Sequence, residues 1–324
     1  MVTKRMQNRV AESRFTLPAV VAYAVVVWLA TGLLIPHVPF TMADLRGGAW
    51  LQLVCFALAT YLMIEQNNGN ALIRIYSRTV SCAFLILSCA ACFLFQSVEG
   101  VVVQLCMAAY LTVIFHTYQD KQSAGWTFYA FLCIGLASLV FVQILWLVPF
   151  FWLLNRFQLN SLSWRTFFAS VVGLLTPYWF ATVWIIFKQA FDLPARHFAR
   201  LADFQFPYDY HQLTVNQIAT FAFIVMLGVT GIIHYIRNSS GDKIRIRQIY
   251  GYFIALMLIA TTFIVLQPQY YTVLLGLLIV NVAPLIAHFV SLTYTKITNI
   301  AFYVICTAAV LLTLLNLWMP SLNF

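Results

Sequence analysis

Residues 126–157 read WTFYAFLCIGLASLVFVQILWLVPFFWLLNRF, which is 32 nearly continuous apolar positions. A helix needs about 20 apolar residues to cross the hydrocarbon layer, so the run is long for one span and slightly short for two. Gln143, Trp146 and Pro149 lie near its middle, and a proline at that place favours a break in the helix. The run is therefore predicted to enter the membrane and return as a short helical hairpin.

The distribution of basic residues supports the hairpin. If 126–157 returns, 14 of the 18 basic residues share one side with the amino terminus, and four lie opposite, Arg46, Lys188, Arg196 and Arg200. If it crosses once, the later loops invert and the two sides hold 10 and 8. Because cytoplasmic loops carry the excess of Lys and Arg, the first arrangement is favoured. It predicts about 11 crossings with the amino terminus in the cytoplasm.

The rest of the chain has the composition of a membrane protein. Hydrophobic residues make up 63% and charged residues 8%, against about 25% charged in soluble domains, so a soluble enzyme is excluded. We predict one all-α, polytopic domain, a transmembrane helical bundle over 1–324 in the bacterial inner membrane. The further apolar runs are 17–35, 49–64, 80–96, 101–117, 166–187, 217–236, 249–266, 270–290 and 300–319.

The net charge of +9 does not indicate a nucleic-acid partner. The basic residues occur in short clusters between apolar runs, where they direct topology and contact anionic lipid. Membrane lipids are therefore the expected partners. No P-loop, dinucleotide-binding or metalloprotease motif is present, no metal site is predicted, and the identity of any cofactor stays open.

The longest polar segment, 188–216, is predicted to lie on the outer face with an amphipathic helix at its start. Asp192 has the residue type of an N-cap, with Pro194 in the first turn. Arg196, Arg200 and Asp203 would share one stripe, where two arginines one turn apart can clamp a phosphate. Three further candidate substrate-binding residues of this loop are His197, Asp209 and His211. The alternative is an interface anchor that meets ordinary lipid phosphates.

Two carboxylates are candidates for acid–base chemistry. Asp44 lies in the first outer loop and Glu99 in the outer turn 96–100. A positioned carboxylate can take the proton of an acceptor hydroxyl. The alternative for Asp44 is that it only caps the following helix.

The centre of the chain resembles a known family. The run GLASLVFVQILWLVPFFWLLNRF (135–157), followed by SWRTFFASVVGLLTPYW (163–179), is similar to the central section of GT-C type membrane glycosyltransferases. It resembles still more an uncharacterised family of small Bacteroidota inner-membrane proteins. The GT-C resemblance implies a polyprenyl-phosphate-linked sugar donor at the outer face. It also implies that Asp44 is the catalytic acid of the first outer loop and Glu99 a second one.

Three functions stay open from the sequence. The first is a glycosyltransferase-like enzyme that uses such a lipid-linked donor. The second is a non-catalytic scaffold or subunit of a cell-envelope assembly or secretion machine, whose outer loops bind other envelope proteins. The third is a lipid transporter, since no charged residue falls in the middle of a predicted span and ion-coupled transport is thereby disfavoured.

Overall fold

The computed structural model describes residues 5–34, 48–204, 210–211 and 213–318. Within these ranges all regular structure is helical, with thirteen α-helices and six short 3-10 segments. The predicted all-α fold is thus confirmed. Asp44 and Asp209, two of the predicted site residues, fall outside the described ranges.

Each predicted apolar run corresponds to helical structure, because a contiguous apolar segment satisfies its backbone polar groups within itself only as a helix. The helices are α1 Met6–Glu12, α2 Thr16–Leu34, α3 Gly48–Asn70, α4 Thr79–Ala90, α5 Val98–Ile114, α6 Ala124–Val140, α7 Val148–Phe157, α8 Trp164–Lys188, α9 Asp192–Ala199, α10 Val215–Asn238, α11 Ile244–Leu266, α12 Tyr271–Leu292 and α13 Lys296–Trp318.

Among the described residues, six helical segments are long and apolar enough to cross a membrane, and α1 with α2 forms a further candidate that is bent by 88°. This is the architecture of a helical membrane protein. The most enclosed of the six is Pro268–Leu292, which is 94% buried in its apolar window and packs against α4, α5, α10 and α11. The six segments are Val98–Thr117, Trp164–Lys188, Val215–Gly241, Ile244–Leu266, Pro268–Leu292 and Lys296–Trp318.

The segment 126–157 forms two short helices, α6 and α7, joined by a 3-10 segment Val142–Leu147. The backbone N–H of Gln119, before α6, donates to the carbonyl of Leu159, after α7, at 2.8 Å. The two outer ends of the pair therefore meet, and the chain returns to the side from which it started. The break comes at Phe141, whose backbone is extended. It does not come at Pro149, which sits in the first turn of α7, where proline is tolerated.

The bundle has two ends, which we call the tip end and the opposite end. At the tip end, Gln143 of the hairpin donates to the hydroxyl of Tyr270, just before α12, at 2.8 Å. At the opposite end the rings of His234 in α10 and His288 in α12 are 5.3 Å apart. The termini of α10 and α12 therefore define both ends of the molecule.

Helices α6 and α8 pack through two glycines. A Cβ added at Gly135 of α6 would lie 2.6 Å from the carbonyl oxygen of Leu174, and one added at Gly173 of α8 would overlap the carbonyl oxygen of Phe128. Small residues let membrane helices approach to backbone contact. The hydroxyl of Tyr178 also donates to Ser138 at 2.8 Å. This close contact holds α8, and the loop that follows it, against the hairpin.

We expect Gly173→Ala to destabilise the protein by about 1–3 kcal/mol, the usual cost of overpacking. The new methyl group meets backbone, which cannot move aside as a flexible side chain would. The matched control is Gly125→Ala in α6, because a Cβ there has no neighbour within 4 Å. Chemical denaturation in detergent micelles measures both variants. Equal midpoints for the two would contradict the close contact.

Candidate functional site

Four predicted site residues line one cavity at the tip end. Glu99, His197, Arg200 and Asp203 surround a space of about 300 Å³, which we call the polar cavity. They come from the start of α5, from α9 and from the 3-10 turn after it. The fold thus brings together residues that are about a hundred positions apart in the chain.

Local structure positions Glu99 in the wall of the polar cavity. Ser97 is the N-cap of α5 and its hydroxyl accepts from the backbone N–H of Gly100 at 3.0 Å. Glu99 lies in the first turn of that helix, where a carboxylate is favoured by the helix dipole. Its side chain is exposed and thus accessible to a ligand.

The predicted amphipathic helix of 188–216 is present as α9, followed by the 3-10 turn Arg200–Ala202. The N-cap role of Asp192 is wrong: Asp192 is the first helical residue, and Phe191 before it has helical backbone angles. The Asp192 carboxylate instead lies 3.6 Å from the guanidinium of Arg196, and both side chains are exposed. An exposed pair of this kind contributes little stability, which leaves Arg196 available to other anions.

Two polar residues that the sequence did not propose for the site, Gln143 and Tyr270, also line the polar cavity. The side-chain amide of Gln143 donates to the Arg200 carbonyl at 3.0 Å and to the Tyr270 hydroxyl. That hydroxyl donates in turn to the Asp203 carbonyl at 2.7 Å, which also accepts from Gln269 at 2.9 Å. These bonds join the hairpin tip, the turn after α9 and the start of α12. A glutamine inside an apolar run was the sequence signal for this role.

His197 lies in the cavity wall with an unused ring nitrogen. The residue is half-buried, and its Nε2 has no hydrogen-bond partner. Burial lowers the pKa of His197 below its usual 6.5; a hydrogen bond with the Ser138 backbone opposes this shift, and the positive charge of Arg200 adds to it. Burial therefore favours the neutral ring of His197, and Arg200 supplies the positive charge of this wall.

A second, mostly apolar cavity adjoins the first. This apolar groove of about 670 Å³ runs between α6, α8 and α9, and His197 and Arg200 belong to the walls of both spaces. Phe198 stacks on Tyr178 of α8 at 5.4 Å. Further residues along the groove are Leu139, Leu145, Leu174, Leu175, Trp184, Ile185, Leu193 and Arg196.

The remaining predicted residues fall elsewhere. Arg196 lines the apolar groove and not the polar cavity. His211 lies in a turn beside Tyr210, whose hydroxyl donates to the Val265 carbonyl at 2.9 Å, and it lines neither space. Across the part of the chain that the structure describes, no three His, Cys, Asp or Glu side chains are grouped so that they would hold a metal ion.

A charged cluster at the opposite end was not anticipated from the sequence. The Asp242 carboxylate is fully buried and accepts from Nε of Arg74 at 2.6 Å and from Nε2 of His288 at 3.3 Å. The hydrogen bond that Arg74 donates to Asp242 raises the pKa of Arg74 above its usual value. His288 is completely buried. The cluster ties the α3–α4 loop to α12 and to the α10–α11 loop.

No known protein family, curated protein or solved structure matches the chain. The two joined cavities at the tip end, and the side chains around them, are the features of the molecule that indicate a function.

Proposed function

We propose that the protein is an inner-membrane, GT-C-like transferase that uses a polyprenyl-phosphate-linked sugar at the outer face. One observation carries the proposal: the polar cavity and the apolar groove meet at His197 and Arg200. A lipid-linked sugar has the same division, with a long apolar chain, a phosphate at the junction and a polar sugar beyond it. Ligand sites combine apolar walls with a few placed polar groups in this way.

The apolar groove suits the lipid chain. Its wall on α8 continues into side chains that face away from the bundle, with Trp179, Phe180 and Val183 at least 60% exposed. In a bilayer these side chains contact lipid. A polyprenyl chain can therefore enter the groove sideways from the membrane without crossing water.

The junction suits the phosphate. Arg200 borders both spaces and Arg196 borders the groove one helical turn earlier. Guanidinium groups bind phosphate oxygens through paired, charge-assisted hydrogen bonds. Nε2 of His197, which has no protein partner, is a third group at the same place. The two guanidinium groups would neutralise the negative charge that grows on the lipid phosphate as it leaves.

The polar cavity suits the sugar and the acceptor. In the transfer step, a carboxylate takes the proton of the acceptor hydroxyl, and the acceptor oxygen forms a bond to the anomeric carbon. The bond from that carbon to the phosphate oxygen breaks, and the electron pair leaves with the lipid phosphate. Glu99, in the cavity wall, is one candidate for the base. Asp44 is the other, as the resemblance implies, and lies outside the described residues.

The proposed topology has about 11 crossings, a cytoplasmic amino terminus and the tip end at the outer face. The return of the hairpin to its starting side supports it, because the later basic loops then fall on the cytoplasmic side. We expect a phosphatase reporter fused after Phe204 to be active outside the cytoplasm and one fused after Ser240 to be inactive. The opposite pattern would place the tip end in the cytoplasm and remove the proposed site.

Lipid binding tests the proposed function directly. We expect Arg200→Ala to weaken the binding of polyprenyl phosphate by about tenfold or more, the usual loss for a hydrogen bond to a charged group. Arg196→Ala should weaken it less, because Arg196 borders only the groove. Native mass spectrometry of the purified protein with added polyprenyl phosphate gives the dissociation constants.

The control for this measurement is Lys188→Ala. Lys188 is an exposed basic residue at the end of α8 that lines neither space. The Lys188→Ala substitution removes one positive charge from the same end of the molecule, as Arg200→Ala does. If Arg200→Ala and Lys188→Ala bind the lipid equally well, Arg200 does not hold the phosphate, and the scaffold function becomes the better account of the outer loop.

A further inference from the structure

A third cavity lies at the opposite end of the bundle, far from the proposed transferase site. It occupies about 510 Å³ between the end of α10 and the junction of α12 with α13. Ile233, Phe289 and Leu292 give it an apolar floor, and its polar rim is formed by His234, Arg237, Asn238, Thr293, Thr295 and Thr298.

Arg237 supplies an uncompensated positive charge on this rim. Its side chain is exposed and makes no hydrogen bond or ion pair with any other described residue. The buried carboxylate at this end of the bundle, Asp242, is already paired with Arg74 at 2.6 Å. The cavity is therefore attractive to an anion, and no protein carboxylate in the described ranges satisfies Arg237.

The other polar groups of the rim are partly used in hydrogen bonds within the protein. Nδ1 of His234 lies 3.0 Å from the side-chain amide of Asn238, while its Nε2 has no partner. Thr295 and Thr298 cap the start of α13 reciprocally: the N–H of Thr298 donates to the Thr295 hydroxyl at 3.2 Å, and the N–H of Thr295 to the Thr298 hydroxyl at 3.1 Å. The exposed side chain of Arg237, by contrast, makes no hydrogen bond or ion pair within the described residues, so replacing it breaks none of these bonds.

The surroundings of the cavity favour a lipid over a soluble anion. Ile236 on α10 and Ile297 and Ile300 on α13 are each more than 60% exposed. These apolar side chains flank the cavity where a bilayer would cover them. A ligand that fills the site therefore needs acyl chains beside its charged group.

We propose that this cavity binds the phosphate group of an anionic glycerophospholipid. Basic pockets between membrane helices bind anionic headgroups in this manner. The guanidinium of Arg237 would contact phosphate oxygens, and the acyl chains would lie over the apolar floor and the flanking isoleucines. The proposal does not depend on the transferase function, because the two sites share no residue.

Binding of defined lipids to the detergent-purified full-length protein tests the proposal. We expect wild-type protein to retain phosphatidylglycerol in native mass spectra in preference to phosphatidylcholine. Arg237→Gln should weaken phosphatidylglycerol binding by about fivefold, corresponding to about 1 kcal/mol for one basic residue near an anionic lipid. The matched control is Arg165→Gln in the first turn of α8, an exposed arginine at the same end that does not line the cavity.

Three outcomes would overturn the proposal. Equal binding of phosphatidylglycerol by Arg237→Gln and Arg165→Gln would exclude Arg237 as the phosphate contact. Displacement of the lipid from wild-type protein by phosphatidylcholine would exclude recognition of the anionic headgroup. Displacement by inorganic phosphate alone would identify a free-anion site instead of a lipid site. The last two measurements use only the wild-type protein and so do not depend on how a variant folds.

Discussion

Replacing Arg74 with glutamine is expected to lower the free energy of unfolding by about 3 kcal/mol. Removing one partner of a buried ion pair costs about 3–5 kcal/mol, because the other charge stays in the interior without compensation. The Asp242 side chain is completely buried, whereas that of Arg74 is 39% exposed. We take the lower end of the range because the pair is only partly enclosed and His288 still donates to Asp242.

The reverse substitution should cost less. Asp242→Asn leaves Arg74 without a carboxylate, but that guanidinium reaches water and keeps its bond to the Asn238 carbonyl at 2.7 Å. We expect a loss of about 1 kcal/mol, typical of one hydrogen bond. Arg78→Gln is the control, since Arg78 lies in the same loop and, within the described part of the chain, its only side-chain bond is to the Tyr76 hydroxyl at 3.2 Å. Denaturant titration in micelles measures all three variants.

Two results would contradict this ranking of the variants. If Arg74→Gln is no less stable than Arg78→Gln, the Arg74–Asp242 pair does not hold the α3–α4 loop against the α10–α11 loop. If Asp242→Asn costs more than Arg74→Gln, the buried carboxylate contributes through bonds other than the one from Arg74.

The second large effect concerns the transfer reaction. Removing a positioned general base lowers the rate by about 10²–10⁴-fold, so either Glu99→Gln or Asp44→Asn should show a loss of this size. Replacing the other carboxylate should lower the transfer rate less, if that carboxylate only binds sugar hydroxyls. Both substitutions keep size and shape, so protein abundance should not change. The rate is measured as transfer of sugar from a polyprenyl-phosphate donor by purified protein, together with complementation of a knockout strain.

Glu65→Gln is the matched control for this experiment. Glu65 is an exposed glutamate on α3 that lines neither the polar cavity nor the apolar groove. Full activity of both Glu99→Gln and Asp44→Asn would exclude the transferase and favour the scaffold. Tight binding of polyprenyl phosphate by wild-type protein, with no sugar transfer to any acceptor tested, would favour the lipid transporter.

The helices themselves were predictable from the sequence because their cause is local. A run of about 20 apolar residues must be helical to satisfy its backbone in hydrocarbon. The predicted run 166–187 corresponds to α8 Trp164–Lys188, and 217–236 to α10 Val215–Asn238. The unusual length of 126–157 likewise indicated two short helices, and the charge bias required their return. The amphipathic helix after α8 followed from the spacing of its own residues.

The position of the break in the hairpin was harder to predict from the sequence. Pro149 marked a place where a helix can end, but proline is also well tolerated in a first turn, and that is where it lies in α7. The chain instead turns at Phe141, whose ring packs against Tyr270 at 5.3 Å. This contact joins Phe141 to a residue more than a hundred positions later, and local sequence patterns do not reveal such a contact.

Tertiary packing decided which residues line the polar cavity. The sequence proposed Glu99, His197, Arg200 and Asp203 as polar groups of one membrane face, but it did not indicate that they meet or that Gln143 and Tyr270 join them. Similarly, Arg74 and Asp242 are 168 positions apart, and nothing near either residue indicates the other. Hydrophobicity and helical spacing act within a segment, so the sequence determined which segments form and which faces they present. Only the packing of distant helices decided which polar side chains share an enclosed space. This packing depends on contacts between segments, such as the close approach of α6 and α8 at Gly135 and Gly173, which no single segment contains.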